Sequence, residues 1–248
     1  MKENFVHVVF VIDESGSMAG TENDVIGGFK RVIDEQKAVE NGTCSVSFYK
    51  FADKVTEVYK GKDVNEVEYL DGKYHPGGCT ALFDAVGTAI DKIGEWLDGM
   101  KEEDKPEKNI IVVMTDGGEN SSREYSASKV KEMIKHQEEK YNWTFVYMGS
   151  DLTNASDANS LGFGTRLYSA KADYGQNYDV INCAVSAYRC SNEDLSIKSS
   201  SLDSYLKTTG TCITEAYAAK NGLSADDLLQ KDWKLYRQGL SITQVEMM

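Results

Sequence analysis

Two stretches of this chain leave few folds open. Phe5 to Ile12 reads Phe-Val-His-Val-Val-Phe-Val-Ile, and Asn109 to Thr115 reads Asn-Ile-Ile-Val-Val-Met-Thr. Neither alternates between apolar and polar residues. A strand with one face in water alternates, because successive side chains point to opposite sides. Nearly unbroken β-branched runs mark strands covered on both faces, the arrangement of parallel sheets with crossover helices above and below. Phe5 to Ile12 is expected to be the central strand.

The remaining patterns fit that frame. Val25, Ile26, Phe29, Val32 and Ile33 recur at helical spacing up to a stop at Asn41-Gly42. Cys44 to Phe51 and Val55 to Tyr59, split by Ala52-Asp53-Lys54, predict a hairpin and so one antiparallel edge. Thr80 to Leu97 has the helix period, and a charged helix after Asp116 turns Val130, Met133 and Ile134 inward. Trp143 to Met148 predicts a strand, Ala155 to Leu161 a short helix, Thr165 to Tyr168 a brief strand and Tyr178 to Tyr188 a helix. The expected fold class is α/β, a mainly parallel six-stranded sheet with one antiparallel edge strand and helices on both faces. After Cys190 the texture becomes polar and turn-like, with helical patches at Asp203 to Lys207 and Ser224 to Tyr236. This divides the chain into a domain over 1–190 and a mainly helical extension over 191–248. Leu202, Tyr205, Leu206, Leu228, Leu229, Trp233, Leu235 and Tyr236 make that extension too apolar for a free linker, so it is expected to pack on the domain.

Composition narrows the function. Its 248 residues carry 40 Asp and Glu against 27 Lys and Arg, a formal charge of -13 that repels nucleic-acid phosphates and anionic lipid. No stretch approaches the roughly 18 to 20 apolar residues of a membrane span. Met1-Lys2-Glu3-Asn4 leads straight into the first strand with no secretory signal, and five scattered cysteines without a C-x-x-C pair suit reduced thiols. The expected location is the cytoplasm, with a monomer favoured.

In open parallel sheets ligands bind beyond the carboxyl ends of the strands. Three such loops stand out: Asp13-Glu14-Ser15-Gly16-Ser17, Gly77-Gly78-Cys79-Thr80 and Asp116-Gly117-Gly118. Asp13, Ser15, Ser17, Thr80 and Asp116 offer two carboxylates and three hydroxyls. Such a set suits a small hard cation that keeps open or water-filled positions, Mg²⁺ or Mn²⁺, whereas Ca²⁺ favours more carboxylates or carbonyls.

On these residues the chain resembles the von Willebrand factor A domain family with its metal-ion-dependent adhesion site. The family's D-x-S-x-S is matched by Asp13, Ser15 and Ser17, its Thr by Thr80 and its Asp by Asp116, in the right order over roughly Phe5 to Cys190. The resemblance implies a Rossmann-like doubly wound sheet, a divalent cation at its top and a protein partner whose Asp or Glu completes the coordination. It does not imply catalysis. The chain looks most like compact intracellular bacterial and phage-borne members.

Singly, Asp13 and Ser17 fit helix caps and Asp116-Gly117-Gly118 an ordinary turn, and the reading rests on their joint occurrence with Thr80. Cys79 is expected to be small and buried, Glu119 and Glu14 to be solvated rim charges. His7 is expected in the core, His75 in a solvated loop and His136 on the surface. A Mg²⁺-dependent phosphohydrolase is the catalytic alternative, but Ser15 stands where the haloacid-dehalogenase pattern has its second carboxylate. Nucleotide-loop and acyl-transfer motifs are absent. A structural protein assembling through its tail is the third possibility.

Overall fold

The computed structural model describes residues 1–150, 155–170 and 174–220. Its strands are β1 (Lys2–Asp13), β2 (Thr43–Phe51), β3 (Val55–Asp63), β4 (Pro106–Thr115), β5 (Thr144–Gly149) and β6 (Thr165–Tyr168). They form one sheet in the order β3-β2-β1-β4-β5-β6. β1 pairs in parallel with β2 and with β4, as β4 does with β5 and β5 with β6. Among the described residues only the β2–β3 pairing is antiparallel, as the short polar turn predicts. Its helices are α1 (Glu22–Ala38), α2 (Leu82–Asp98), α3 (Ala127–Tyr141), α4 (Ala155–Leu161), α5 (Tyr174–Cys190) and α6 (Leu195–Lys220).

The two-sided burial of β1 divides by parity. Val6, Val8, Phe10 and Ile12 face one core with Phe29 of α1 and Tyr178 and Ile181 of α5. Val9 and Val11 face the other, with Val86 and Ile90 of α2 and Val130 and Ile134 of α3. Each such side chain contributes about 1.5–3 kcal/mol when fully buried. Phe29 meets Phe10 at 5.3 Å and Phe48 at 5.1 Å between ring centroids, both edge to face. At Gly28 a Cβ would lie 2.1 Å from the Tyr178 ring, so a glycine is what lets α1 and α5 approach this closely.

From β1 the chain moves outward through α1 to β2, then returns through α2 to β4 on the other flank of β1. The strand order therefore reverses between β1 and β4, and a crevice opens at their carboxyl ends. Asp13 ends β1 and Asp116 follows β4.

Beyond Cys190 the structure corrects the expected texture. Lys198-Ser199-Ser200-Ser201 is not a turn but lies within α6, one continuous helix of 26 residues that absorbs the patch at Asp203 to Lys207. Tertiary contacts outweigh the poor helix propensity of the serines. Lys198 Nζ donates to Asn4 Oδ1 at 2.7 Å and pairs with Glu107 at 2.6 Å, Ser199 Oγ accepts from Asn142 Nδ2 at 2.8 Å, and Leu202 and Leu206 enter the α1/α5 core. Ser224 to Tyr236 lies outside the described residues. α6 also crosses the β6 edge: Thr214 Oγ1 accepts from Tyr168 N–H at 3.2 Å and donates to Arg166 O at 3.4 Å. Elsewhere α5 begins a turn earlier than expected, at Tyr174, and β3 runs four residues longer. No helix among the described residues is long and apolar enough to cross a membrane.

Candidate metal centre

The three loops at the carboxyl ends are stitched together by backbone hydrogen bonds. Gly16 N–H donates to Gly78 O at 3.0 Å, Gly77 N–H to Glu14 O at 2.8 Å and Asn120 N–H to Thr80 O at 3.0 Å. This framework brings all five predicted oxygen-bearing side chains into one cluster. Ser15 Oγ lies 3.1 Å from Ser17 Oγ, and Ser17 Oγ donates to Asp116 Oδ1 at 2.6 Å. A Cβ built on Gly117 would lie 3.0 Å from Ser17 Oγ, 3.0 Å from Thr80 Oγ1 and 3.6 Å from Asp13 Oδ2. Oxygens from two of the loops thus face the backbone of the third across one small space, kept open because residue 117 has no side chain.

Asp13 is fully buried, and both its oxygens are oriented. Ser15 N–H donates to Oδ1 at 2.7 Å and Thr115 Oγ1 to Oδ2 at 2.5 Å. Burial pushes its carboxyl up to about 6; the bonds from Thr115 and Ser15 partly offset this, and the neighbouring Asp116 adds to it. The donor set is hard oxygen throughout, with few charges and adjacent hydroxyls, and these residues fit a small divalent cation. Among the described residues no group of three or more His, Cys, Asp or Glu is placed to hold a metal, so a cation site in them has to draw on other oxygens, such as hydroxyls.

Several neighbours depart from expectation. Glu119 is not a solvated rim charge. Its carboxylate accepts the N–H groups of Phe83, Ser121 and Ser122 at 3.0, 2.9 and 2.7 Å, closing the N-terminus of α2. Glu14 likewise pairs with Lys50 at 3.0 Å and accepts from His75 N–H, because that loop folds back over it. Cys79 is exposed rather than buried, its thiol hydrogen-bonded with Asp53. Asn120 holds Thr80: Thr80 N–H donates to its Oδ1 at 2.8 Å. Two residues escaped sequence reasoning. Thr115 orients Asp13 and also accepts Gly117 N–H at 3.1 Å, and Tyr74 Oη donates to Asp13 O at 2.6 Å. The only signal for Thr115 is its place directly before Asp116. His7 is buried, while His75 and His136 are exposed, as expected.

A strand-order reversal with this loop cluster at its crest defines a class, and the comparisons agree with it. The chain belongs to the von Willebrand factor type A domain family, whose model matches residues 7–179. In fold it is similar to the vWF domain of the type V pili tip protein Mfa5 from Porphyromonas gingivalis, with a TM-score of 0.56 at 12% identity, covering 76% of this chain and 97% of that one. It is similar to proximal thread matrix protein 1 from the mussel byssus, with a TM-score of 0.52 at 16% identity over 75% of this chain and 48% of that one. It is also similar to a von Willebrand factor type A protein from Catenulispora acidiphila, with a TM-score of 0.50 at 17% identity over 75% and 43%. The chain thus spans less than half the length of the latter two. Among curated proteins no sequence relative is found. Domains of this family typically mediate protein interactions and metal-dependent binding.

Proposed function

We propose that this chain is a non-enzymatic interaction domain that binds one divalent cation, Mg²⁺ or Mn²⁺, through Asp13, Ser15, Ser17, Thr80 and Asp116, and through it a protein partner. The observation that carries this reading is the convergence of Ser17 Oγ, Thr80 Oγ1 and Asp13 Oδ2 on the space beside Gly117. A cation bound there would supply an electron-poor position that an Asp or Glu of the partner completes. The chain's own residues do the rest. Asp13 brings the principal charge, held by Thr115 and Ser15; Ser17 is held against Asp116; Thr80 is held by Asn120. Charge alone opposes an acidic ligand at net -13, but beyond about 8 Å physiological salt screens the remaining surface, so the attraction is local.

The five cysteines are free, which suits a reducing cytoplasm and the compact bacterial or phage-borne kind of domain. The histidines give the cluster no acid or base: His7 is in the core, His75 bonds Gly72 O and His136 sits against Tyr141.

Titration calorimetry with Mg²⁺ and Mn²⁺ tests the assignment. Wild type is expected to bind one ion, and Asp13→Ala with Asp116→Ala to abolish the signal. An unchanged isotherm in the double variant overturns it. A pull-down with Mg²⁺ or chelator then tests the partner: retention indifferent to the metal would mean recognition by another surface.

A further inference from the structure

At the end of the sheet opposite Asp13, a cavity of about 380 Å³ opens between the last turns of α2 and α3, the first residues of β4 and the residues just before β5. Gly94, Leu97, Asn109, Gln137, Tyr141 and Trp143 line it. Asn109 is 5% exposed, and its Oδ1 has no hydrogen-bond partner among the described residues. It shares a strand face with Ile111 and Val113, which pack in the α2/α3 core, so its side chain lies on the cavity's side of the sheet. A Cβ on Gly94 would meet nothing within 4 Å, so the gap reaches the helix. Trp143, 4% exposed and stacked on Phe145 at 6.2 Å, gives a rigid aromatic wall.

A buried amide oxygen without a partner costs about 1–3 kcal/mol, and such groups call for an explanation. Here the amide borders a space large enough for a small molecule. Charge at the rim is nearly balanced: Glu102 pairs with Lys105 at 3.0 Å and lies 3.9 Å from the N-terminal ammonium of Met1, Glu107 pairs with Lys198 at 2.6 Å, and Lys140, its Nζ 5.1 Å from the Tyr141 ring centre, keeps its charge. Asp98 is the one rim acid without an ion pair among the described residues, and it is exposed. The interior thus offers a primary amide and aromatic faces without a net charge. A primary amide is matched by an adjacent donor and acceptor on a flat ring, as in the pairing of asparagine with adenine, and the ring stacks on aromatic side chains.

We propose that this cavity binds a neutral, flat heteroaromatic ring with an adjacent hydrogen-bond donor and acceptor, of the purine-base type, held by Asn109 and packed against Trp143. The site is independent of the metal cluster, and binding there needs no divalent ion.

Calorimetry on the full chain tests it with adenine, with caffeine as a flat ring lacking donors, and with phenethylamine as a cationic competitor. Adenine is expected to bind with a dissociation constant below about 1 mM, within reach of a ligand of this size, and caffeine about tenfold more weakly. Gly94→Leu fills the cavity from the helix side without touching the strand. It should melt no lower than wild type, since leucine is the better helix former, yet lose adenine about tenfold or more. Asn109→Leu should lose it too, and Gly94→Leu decides the matter if that variant fails to fold. Water alone in the cavity, seen as no saturable adenine binding, overturns the proposal. So do equal affinity for caffeine, tighter binding of phenethylamine, or adenine binding that survives Gly94→Leu.

Discussion

Asn120 and Thr80 grip each other through reciprocal hydrogen bonds: Thr80 N–H donates to Asn120 Oδ1 at 2.8 Å, and Asn120 N–H donates to Thr80 O at 3.0 Å. Asn120 is therefore expected to affect metal binding only through Thr80. Asn120→Ala should weaken Mn²⁺ binding about three- to tenfold in a wild-type background and not at all in Thr80→Ala. Asn120→Asp, which keeps the acceptor, should restore most of the loss. Equal losses in both backgrounds, read by Mn²⁺ titration, would mean that Asn120 acts by another route.

Glu119 and Asp84 lock the loop after β4 to the start of α2 from both sides. Glu119 accepts from Phe83 N–H, while Asp84 accepts the N–H groups of Arg123, Glu124 and Tyr125 at 2.8, 2.9 and 2.8 Å. Glu119→Ala is expected to cost about 1–2 kcal/mol in urea unfolding, as loss of a helix cap does. A solvated rim charge would cost nothing measurable, and that result would refute the capping role.

How much of this was legible beforehand differs from element to element. Phe5 to Ile12 and Asn109 to Thr115 announce themselves because two-sided burial leaves no polar position to blur the pattern. That Asp13, Ser15, Ser17, Thr80 and Asp116 come together could be anticipated because strand ends fix where loops gather. The partners of Glu119 and Glu14 could not. One takes backbone N–H groups, which leave no mark in a sequence, and the other takes Lys50, 36 positions away. α6 was obscured for the same reason: its serines read as loop, and what holds them helical is Glu107, Asn4 and Asn142, far off in the chain.

His7 carries a pH dependence. Its ring is fully buried, with Nδ1 2.7 Å from Ser45 Oγ and Nε2 3.1 Å from Ser47 Oγ. Burial pulls its pKa from 6.5 down to about 3, against a hydrogen bond with Ser45 that raises it. Between those values the unfolded chain holds the extra proton, so stability rises with pH across the window. The contribution is complete above 6.5 and is lost as pH falls toward 3. Wild type should lose up to about 1.4 kcal/mol more per pH unit than His7→Gln over that range. Parallel unfolding curves for the two proteins would contradict this.

Lys198 and Glu107 form an ion pair whose side chains are 2% and 10% exposed. Removing one member leaves a charge stranded in the interior. Lys198→Met should destabilise the fold by about 3–5 kcal/mol, and adding Glu107→Gln should recover much of it. Equal stability of the single and double variants in guanidinium unfolding would show that the pair is not coupled.

The crossing of α6 over β6 has a consequence for solubility. An outermost strand offers unsatisfied N–H and C=O groups to any other chain, a standing invitation to polymerise. Thr214 answers both kinds of group at once, taking the Tyr168 N–H and giving its hydroxyl proton to Arg166 O. The helix after Cys190 thus works as an insulating strip along one margin of the sheet. At the other margin, no described strand pairs with the outer side of β3, which carries Lys60, Lys62 and Glu57, whose charges discourage a neighbouring strand by repulsion and hydration. The two margins are guarded by different physics. Peeling α6 away, by truncation or by a competitor that captures its apolar face, would turn a discrete domain into a monomer for growth in one direction.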